Sequence, residues 1–191
     1  MLFRRDGAPL EKTADRPVTE SGKKIPVEGT WTVKFQPGRR APDSVQWDRL
    51  IDWATSDVEG MKYFSGTATY SIQLKMPAHA QADHWLDLGE VREVAEVSVD
   101  GEQLGTAWTY PVRVRIPARL LTSGTHDLEV RVTNVWNNRL VGDKFLDETD
   151  RITRTNMQHV QNKNTPLIPS GLLGPITLRP APKASQGAIL P

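Results

Sequence analysis

The run NVWNNRLVGD, which begins at Asn134, concentrates amide, aromatic and charged side chains. An aromatic ring such as that of Trp136 offers the CH-rich face of a sugar a surface on which to stack. Neighbouring groups such as those of Asn138 and Arg139 can hydrogen-bond to sugar hydroxyls. A structural interpretation of the run is favoured over sugar contact: the asparagines satisfy backbone groups at a corner, and Arg139 pairs with Asp143. The sequence leaves both interpretations open.

Six tryptophans are many for a chain of 191 residues. Trp31 lies on an alternating segment and Trp85 lies at the start of another, so we predict that both belong to the core. The other four, Trp47, Trp53, Trp108 and Trp136, fall at predicted strand ends or in loops. The candidate carbohydrate-binding residues are Trp53, Asp57, Tyr63, Trp108, Asn134, Trp136, Asn138 and Arg139.

Residues that could perform catalysis do not form recognisable motifs. Ser65 and Ser170 are typical turn or loop residues, and no serine lies in a G-x-S-x-G turn. The histidines lack zinc-site spacing; they are His79, His84, His126 and His159. Two carboxylates would suffice for a glycosidase, and the acidic candidates are Asp48, Asp52, Asp57, Glu59, Asp143, Asp147, Glu148 and Asp150. Since such a composition always supplies several acidic loop residues, we assign no catalytic residue.

The overall composition excludes several other functions. A net charge of +1 gives no general attraction to nucleic acid or to an acidic membrane, so neither is an expected partner. The absence of cysteine excludes a disulfide framework, a thiol nucleophile and a thiolate metal site. No apolar run approaches the ~18 residues that span a bilayer, and the first residues lack the apolar core of a signal peptide. The chain is therefore either cytoplasmic or a piece of a longer exported protein.

Alternating apolar and polar residues predict a series of strands. The segment GTWTVKF is one example, and FSGTATYSIQLKM is another. Asp100-Gly101 predicts a type I′ hairpin turn, because both central positions of that turn need positive φ. Residues 43–58 are ambiguous and favour a loop with one helical turn. Seven or eight strands without a long amphipathic helix predict an all-β antiparallel β-sandwich of the jelly-roll type.

Three regions differ in composition. Residues 1–26 lack periodicity and are predicted to form a linker or disordered tail, and residues 181–191 are predicted to be a second disordered tail. The sandwich is assigned to residues 27–180. Within it, the Leu-Leu pair of GLLGP and the strand-end aromatics would be costly as an exposed patch, which favours docking against another domain.

Four blocks of sequence carry a resemblance to a known family: YFSGTATY, WLDLGEVREVAEVSVDGEQLGTAW, EVRVTNVWNNRLVGD and LIPSGLLGPITL. Together they resemble the sugar-binding, galactose-binding-like domain of family 2 glycoside hydrolases and, more closely, the C-terminal region of family 106 α-L-rhamnosidases. The resemblance implies a sandwich that packs against a catalytic barrel. The catalytic carboxylates of such enzymes belong to the barrel, so none is carried over to this chain.

The function implied is that of a non-catalytic accessory domain that supports the hydrolysis of plant or microbial polysaccharide glycosides. The expected partners are a glycoside hydrolase catalytic domain and a carbohydrate, with rhamnose and galactose as candidates, and the parent protein would be periplasmic or secreted. The alternatives are a free-standing carbohydrate-binding module and, less favoured, a small glycosidase. A structural calcium bound by loop carboxylates and carbonyls is also open, without assignable ligands.

Overall fold

Short strands form most of the regular structure in the computed structural model, which describes residues 22–76, 82–156 and 161–182. The strands are β1 (Ile25–Pro26), β2 (Trp31–Phe35), β3 (Ser44–Trp47), β4 (Thr67–Met76), β5 (His84–Asp87), β6 (Glu90–Arg92), β7 (Val94–Val99), β8 (Glu102–Ala107), β9 (Arg113–Ile116), β10 (Gly124–Thr133), β11 (Gly171–Gly174) and β12 (Thr177–Pro180). The helices are α1 (Glu59–Lys62) and α2 (Asn137–Gly142), with 3-10 turns at Trp53–Thr55, Ala118–Leu120, Asp143–Phe145 and Glu148–Asp150.

Two antiparallel sheets enclose the core. One has six strands in the order β3-β2-β4-β10-β7-β8, and the other has four in the order β1-β12-β5-β9. A separate pair joins β6 to β11. The longest strands, β4 and β10, pair along their whole length, from Thr67↔Thr133 to Met76↔Gly124. The predicted all-β antiparallel sandwich is confirmed, while its jelly-roll, galactose-binding-like subclass stays a prediction.

The period-2 pattern places one face of each long strand in the interior. Along β4 the residues predicted to face inward are all buried: Ala68, Tyr70, Ile72, Leu74 and Met76. They belong to the same core cluster as the apolar residues of the four-stranded sheet, among them Leu86, Ile116 and Leu178. Each such side chain contributes roughly 1.5–3 kcal/mol by burial, so the alternating pattern is the main determinant of this fold.

Aromatic rings fill the core between β2, β4 and the Trp53 turn. Phe35 contacts the rings of Trp53 and Phe64 edge-on, with centroids 5.5 and 4.9 Å apart. Trp31 and Tyr70 make a further edge contact at 6.3 Å. These geometries match the preference of aromatic quadrupoles for edge-to-face contact. The prediction that Trp31 is a core residue is confirmed.

The region 43–58 contains a strand that the sequence did not indicate. Residues Ser44–Trp47 pair with β2 from Lys34 to Trp31 and form the edge of the six-stranded sheet. The predicted helical turn is present as the 3-10 turn Trp53–Thr55, capped by the Asp52 carboxylate, which accepts from the amide of Ala54 at 2.9 Å. The strand is four residues long and half exposed, too short to give a clear alternation.

Two predictions about apolar residues are wrong. Trp85 is half-buried on the outer face of the four-stranded sheet, where the Arg113 guanidinium lies 4.7 Å from its ring centre. The period-2 pattern assigns Leu86 and Leu88 to the core, and both are fully buried, so Trp85 must face outward. The Leu-Leu pair is not an exposed patch, because Leu172 is fully buried in β11.

The hairpin turn is confirmed: Asp100 and Gly101 have φ of 50° and 79°. The described part of the sandwich begins at Ile25, which pairs with Leu178 two residues before the predicted domain start at residue 27. The domain boundaries otherwise stay predictions, since most of both predicted tails, together with His79 and His159, lies outside the described residues.

A histidine fixes the Asp100-Gly101 turn to the sheet. Nδ1 of His126 lies 2.7 Å from a carboxylate oxygen of Asp100, and Nε2 lies 2.9 Å from the Thr122 carbonyl. Both neighbours are acceptors, and only the protonated imidazole donates from both nitrogens. The Thr122 carbonyl and then the Asp100 carboxylate accordingly raise the pKa of His126, while the His126 hydrogen bond lowers the pKa of Asp100.

This pair predicts a pH dependence of stability. The His126 contribution is complete below its unfolded pKa of about 6.5 and is lost as pH rises through the folded pKa, whereas the Asp100 contribution is lost as pH falls below about 3.9. We expect the urea midpoint to fall between pH 5.5 and 8.5, and to fall less in His126→Gln. Equal falls in both proteins would contradict the role given to His126.

Candidate functional site

Large hydrophobic side chains are exposed at one end of the six-stranded sheet. Strands β2, β8 and β10 end there and β4 begins there, as the pairs Phe35↔Ala68 and Thr67↔Thr133 show. The connections that enter or leave at this end carry the exposed large hydrophobic residues of the described chain: Val58, Trp108, Tyr110, Val135, Trp136 and Phe145. Trp108, Tyr110 and Trp136 are 70%, 91% and 64% exposed. We call this surface the aromatic end; such a concentration marks an interaction surface.

A groove of about 390 Å³ opens at the aromatic end. The ends of β4 and β10 form its floor, where the hydroxyls of Thr67 and Thr133 lie 2.8 Å apart. Its lining residues are Gln36, Arg39, Ser65, Gly66, Thr67, Thr133, Asn134, Trp136, Ile152, Thr153 and Arg154. This strand-end groove is within the range of about 300–1,000 Å³ typical of small-molecule sites. Among the described residues, no carboxylate lines it.

Hydrogen bonds hold the walls of the strand-end groove. The buried carboxylate of Asp143 accepts from the backbone amide of Thr153 at 2.8 Å and also from its hydroxyl. The Arg40 guanidinium donates to the carbonyl of Asp150 at 2.7 Å. The segment beside Arg39 is therefore linked to the segment that leads to Arg154.

A buried polar cluster around Ser170 lies behind the groove. Asn134 donates to the Ser170 hydroxyl at 3.3 Å and to the Phe64 carbonyl at 2.9 Å, and its side-chain oxygen accepts from the Gly66 amide at 3.0 Å. Asn138 donates to the same hydroxyl at 3.2 Å and exchanges two hydrogen bonds with the backbone of Ile168, at 2.7 and 2.9 Å. We call these three polar side chains, Asn134, Asn138 and Ser170, the Ser170 cluster.

The Ser170 cluster continues into the aromatic core. The Ser170 amide donates to Asp52 at 2.8 Å, and its carbonyl accepts from the Trp53 amide at 3.0 Å. The Trp53 indole nitrogen in turn donates to the Tyr70 hydroxyl at 2.7 Å, which also accepts from the Leu172 amide. Burial raises the pKa of Tyr70 far above its ordinary value, so this phenol is a neutral structural group.

Arg139 and Asp143 form a buried ion pair one helical turn apart. Nε of Arg139 lies 2.9 Å from a carboxylate oxygen of Asp143, and both side chains are 4% exposed. Burial lowers the pKa of Arg139 while the Asp143 charge opposes that effect. The guanidinium also lies over the Tyr63 ring, 5.9 Å from its centre. These contacts correspond to the structural interpretation of the NVWNNRLVGD run.

The eight candidate sugar-binding residues separate into two groups. Trp108, Trp136 and Asp57 are exposed, and Tyr63 is half-buried beside Phe145, with ring centres 5.9 Å apart. The other four are buried and have internal partners, and of them only Asn134 also lines the strand-end groove: Trp53, Asn134, Asn138 and Arg139. For these four the structure corrects the assignment: hydrogen bonds inside the fold engage Trp53, Asn134 and Asn138, and the ion pair with Asp143 engages Arg139.

Sequence reasoning missed the groove residues Arg39 and Arg154, and the exposed Tyr110 and Phe145. Arg39 lies in a turn after β2 and Arg154 lies more than a hundred residues later, so no local motif joins them. Gln36 also escaped notice; its side-chain oxygen accepts from the Thr67 amide at 3.3 Å. The only sequence signal for the groove is the strand pattern. The alternation of polar and apolar residues in β4 and β10 predicts the positions of Thr67 and Thr133.

Features of a metal site or of a membrane-spanning helix are not found in the described residues. There, no group of three or more histidine, aspartate or glutamate side chains could hold a metal ion. Within those same ranges no helix has the length and apolar character needed to cross a membrane.

Known proteins similar to this chain are glycoside hydrolases. A solved rhamnosidase from Novosphingobium sp. PP1Y is 41% identical, with a TM-score of 0.73, over 82% of this chain and 15% of that one. A Formosa agariphila protein named "Putative beta-glucuronidase" is 33% identical over 81% of this chain and 15% of its own length. A Dictyoglomus thermophilum beta-D-glucuronidase structure shares the fold at 13% identity, with a TM-score of 0.56, over 86% of this chain and 29% of that one. No family model matches the chain.

These similarities define the class of protein. The chain is a glycoside-hydrolase-related β-sandwich domain. It spans 15% of the length of the rhamnosidase and of the Formosa protein.

The Ser170 cluster predicts a large effect of Asn138→Ala on stability. The substitution removes the partner of the Ile168 amide and the shorter of the two hydrogen bonds to the Ile168 carbonyl, which keeps only the Ser170 hydroxyl at 3.4 Å. A polar group left unsatisfied inside a protein costs about 1–3 kcal/mol. We expect the free energy of unfolding to fall by about 2–3 kcal/mol in urea titrations. The exposed Asn164→Ala is the matched control and should change it by less than about 0.5 kcal/mol; equal losses would show that the cluster is not a determinant of stability.

Proposed function

We propose that this chain is a non-catalytic accessory domain of a glycoside hydrolase, and that the catalytic residues belong to another domain of the parent protein. The observation that carries the proposal is the chemistry of the strand-end groove, where the lining residues that the structure describes include no carboxylate. Glycoside hydrolysis by the common mechanisms needs two carboxyl groups about 5–10 Å apart across the scissile bond. The open groove at the aromatic end does not supply them.

The carboxylates behind the aromatic end have structural partners. Asp143 is paired with Arg139 and accepts from Thr153. Asp52 accepts from the amides of Ala54 and Ser170. A general acid needs a carboxyl group that can exchange a proton with substrate, and Asp143 is buried away from solvent. The internal partners of these carboxylates favour an accessory role of the domain over a catalytic one.

The proposed partner is the catalytic domain of the same protein, docked on the aromatic end. Trp108, Tyr110 and Phe145 would be covered by such contact, which removes apolar surface from water. Contacts between domains commonly bury 600–1,500 Å². In this proposal residues 27–180 form one galactose-binding-like unit, and the parent enzyme is a rhamnosidase-like, periplasmic or secreted protein that acts on plant or microbial polysaccharides.

A second candidate function is carbohydrate binding by the domain itself. The observation that favours it is the exposed ring of Trp136 on the rim of a polar groove. Sugar-binding sites combine such a ring with hydrogen-bonding groups. The two functions are compatible, because a groove at a domain interface can bind a substrate that the neighbouring domain cleaves.

A domain exchange tests the accessory role. The matching segment of the Novosphingobium rhamnosidase would be replaced by this chain, and hydrolysis of an aryl rhamnoside would be measured beside a deletion of that segment. We expect the chimera to stay soluble and active and the deletion variant to lose both properties. The reason is that, in the deletion variant, the surface of the remaining enzyme that contacts this segment would be exposed to water. The isolated chain should release no aglycone from aryl rhamnosides or glucuronides; turnover by the isolated chain would overturn the proposal.

A variant of the chimera tests the docking surface. Tyr110→Ser should lower the thermal midpoint of the chimera while leaving the midpoint of the isolated chain almost unchanged, because Tyr110 is 91% exposed in the isolated domain. Lys34→Ser, an exposed change on the outer face of the six-stranded sheet, is the control. Equal midpoints for both chimeric variants would place the docking surface elsewhere.

A further inference from the structure

The charged residues of the strand-end groove are all of one sign. Arg39 and Arg154 line it, and no aspartate or glutamate of residues 22–76, 82–156 and 161–182 does. Neither arginine makes a hydrogen bond or an ion pair with another residue of the described chain. Two guanidinium groups that line one groove give it a positive potential, which favours an anionic ligand over a neutral or cationic one.

The arginine-bearing segments are held in place by other side chains. Arg40, next to Arg39, donates to the Asp150 carbonyl at 2.7 Å. Thr153, next to Arg154, is fixed by the buried Asp143 carboxylate. Both guanidinium groups therefore extend from an anchored backbone and stay available to a ligand. Because the backbone is already ordered, less conformational entropy of the protein is lost when a ligand binds.

The rest of the lining suits a sugar. The Trp136 ring is 64% exposed and gives a face for the CH groups of a pyranose. The hydroxyls of Thr67 and Thr133, 2.8 Å apart, belong to the same lining. Guanidinium groups bind carboxylates through paired, charge-assisted hydrogen bonds.

We propose that the strand-end groove binds an acidic sugar, with Trp136 stacked on the pyranose and Arg39 and Arg154 bound to the carboxylate of a uronate residue. The proposal names a ligand class for the proposed accessory domain. It rests on the accessory function in one respect, which is that the ligand is taken to be a carbohydrate. The rival occupant is an acidic segment of a partner protein, which would use the same arginines without the sugar-stacking role of Trp136.

Native affinity electrophoresis of the 191-residue chain tests the proposal, with polygalacturonate as the acidic probe and a neutral galactan as its uncharged counterpart. We expect saturable retardation by polygalacturonate and none by galactan. Trp136→Ala, Arg39→Gln and Arg154→Gln should each weaken binding about tenfold, as the loss of one charge-assisted hydrogen bond or one ring stack predicts.

Two matched controls separate the groove from general electrostatics. Arg49→Gln removes the same charge from an exposed position outside the groove, and Trp85→Ala removes a half-buried tryptophan on the outer face of the four-stranded sheet, outside the lining. Both should bind polygalacturonate as the unchanged chain does. Equal weakening by Arg49→Gln, equal retardation by galactan, or no retardation of a folded chain would each overturn the proposal.

Failure of the acidic-sugar proposal can be distinguished from failure of the proposed accessory function. Absence of polygalacturonate binding with an active chimera would leave the accessory role standing and would favour an acidic protein segment as the groove's occupant. Polygalacturonate binding with an inactive chimera would support the acidic-sugar site and remove the accessory role.

Discussion

The geometry of the aromatic end depends on the hydrogen bonds of one buried serine. The hydroxyl of Ser170 accepts from two asparagines, its amide donates to Asp52 and its carbonyl accepts from Trp53. Three segments far apart in sequence therefore meet at a single residue that is 2% exposed. An unpaired polar group at such a depth costs more free energy than a hydrogen bond contributes. The complete cluster therefore specifies one arrangement of these segments, and the loss of any of its hydrogen bonds would destabilise that arrangement.

This cluster explains why a groove exists where the two longest strands end. Asn134 continues directly from β10 and accepts from the Gly66 amide just before β4, so the two strand ends are fixed relative to each other. The next residues of the chain leave the sheet, and Trp136 is carried outward at the start of α2. The polar residues of the run hold the backbone, and the exposed tryptophan remains available for binding. The two interpretations of NVWNNRLVGD thus apply to different residues of the same run.

Much of the fold could be predicted from sequence because the core obeys a local rule. Alternation identified the inward faces of β4, β7 and β10, and Asp100-Gly101 identified its turn. The rule failed where a residue's environment is set by distant partners. Trp53 looks like a loop aromatic, yet it is fully buried because the Tyr70 hydroxyl satisfies its indole nitrogen. Trp85 looks like a core residue, yet Arg113 covers it on the outer face.

The candidate site was less predictable than the fold for the same physical reason. Binding surfaces are assembled from connections, and their residues are brought together by contacts such as Arg40 with Asp150, separated by 110 positions. Local patterns reveal which residue types are present but not which of them remain unsatisfied after folding. Asn138 and Arg139 have the right chemistry for a sugar but use it internally, whereas Arg39 and Arg154 do not. In this protein a structural residue therefore differs from a binding residue in having a polar or charged partner already supplied by the chain itself.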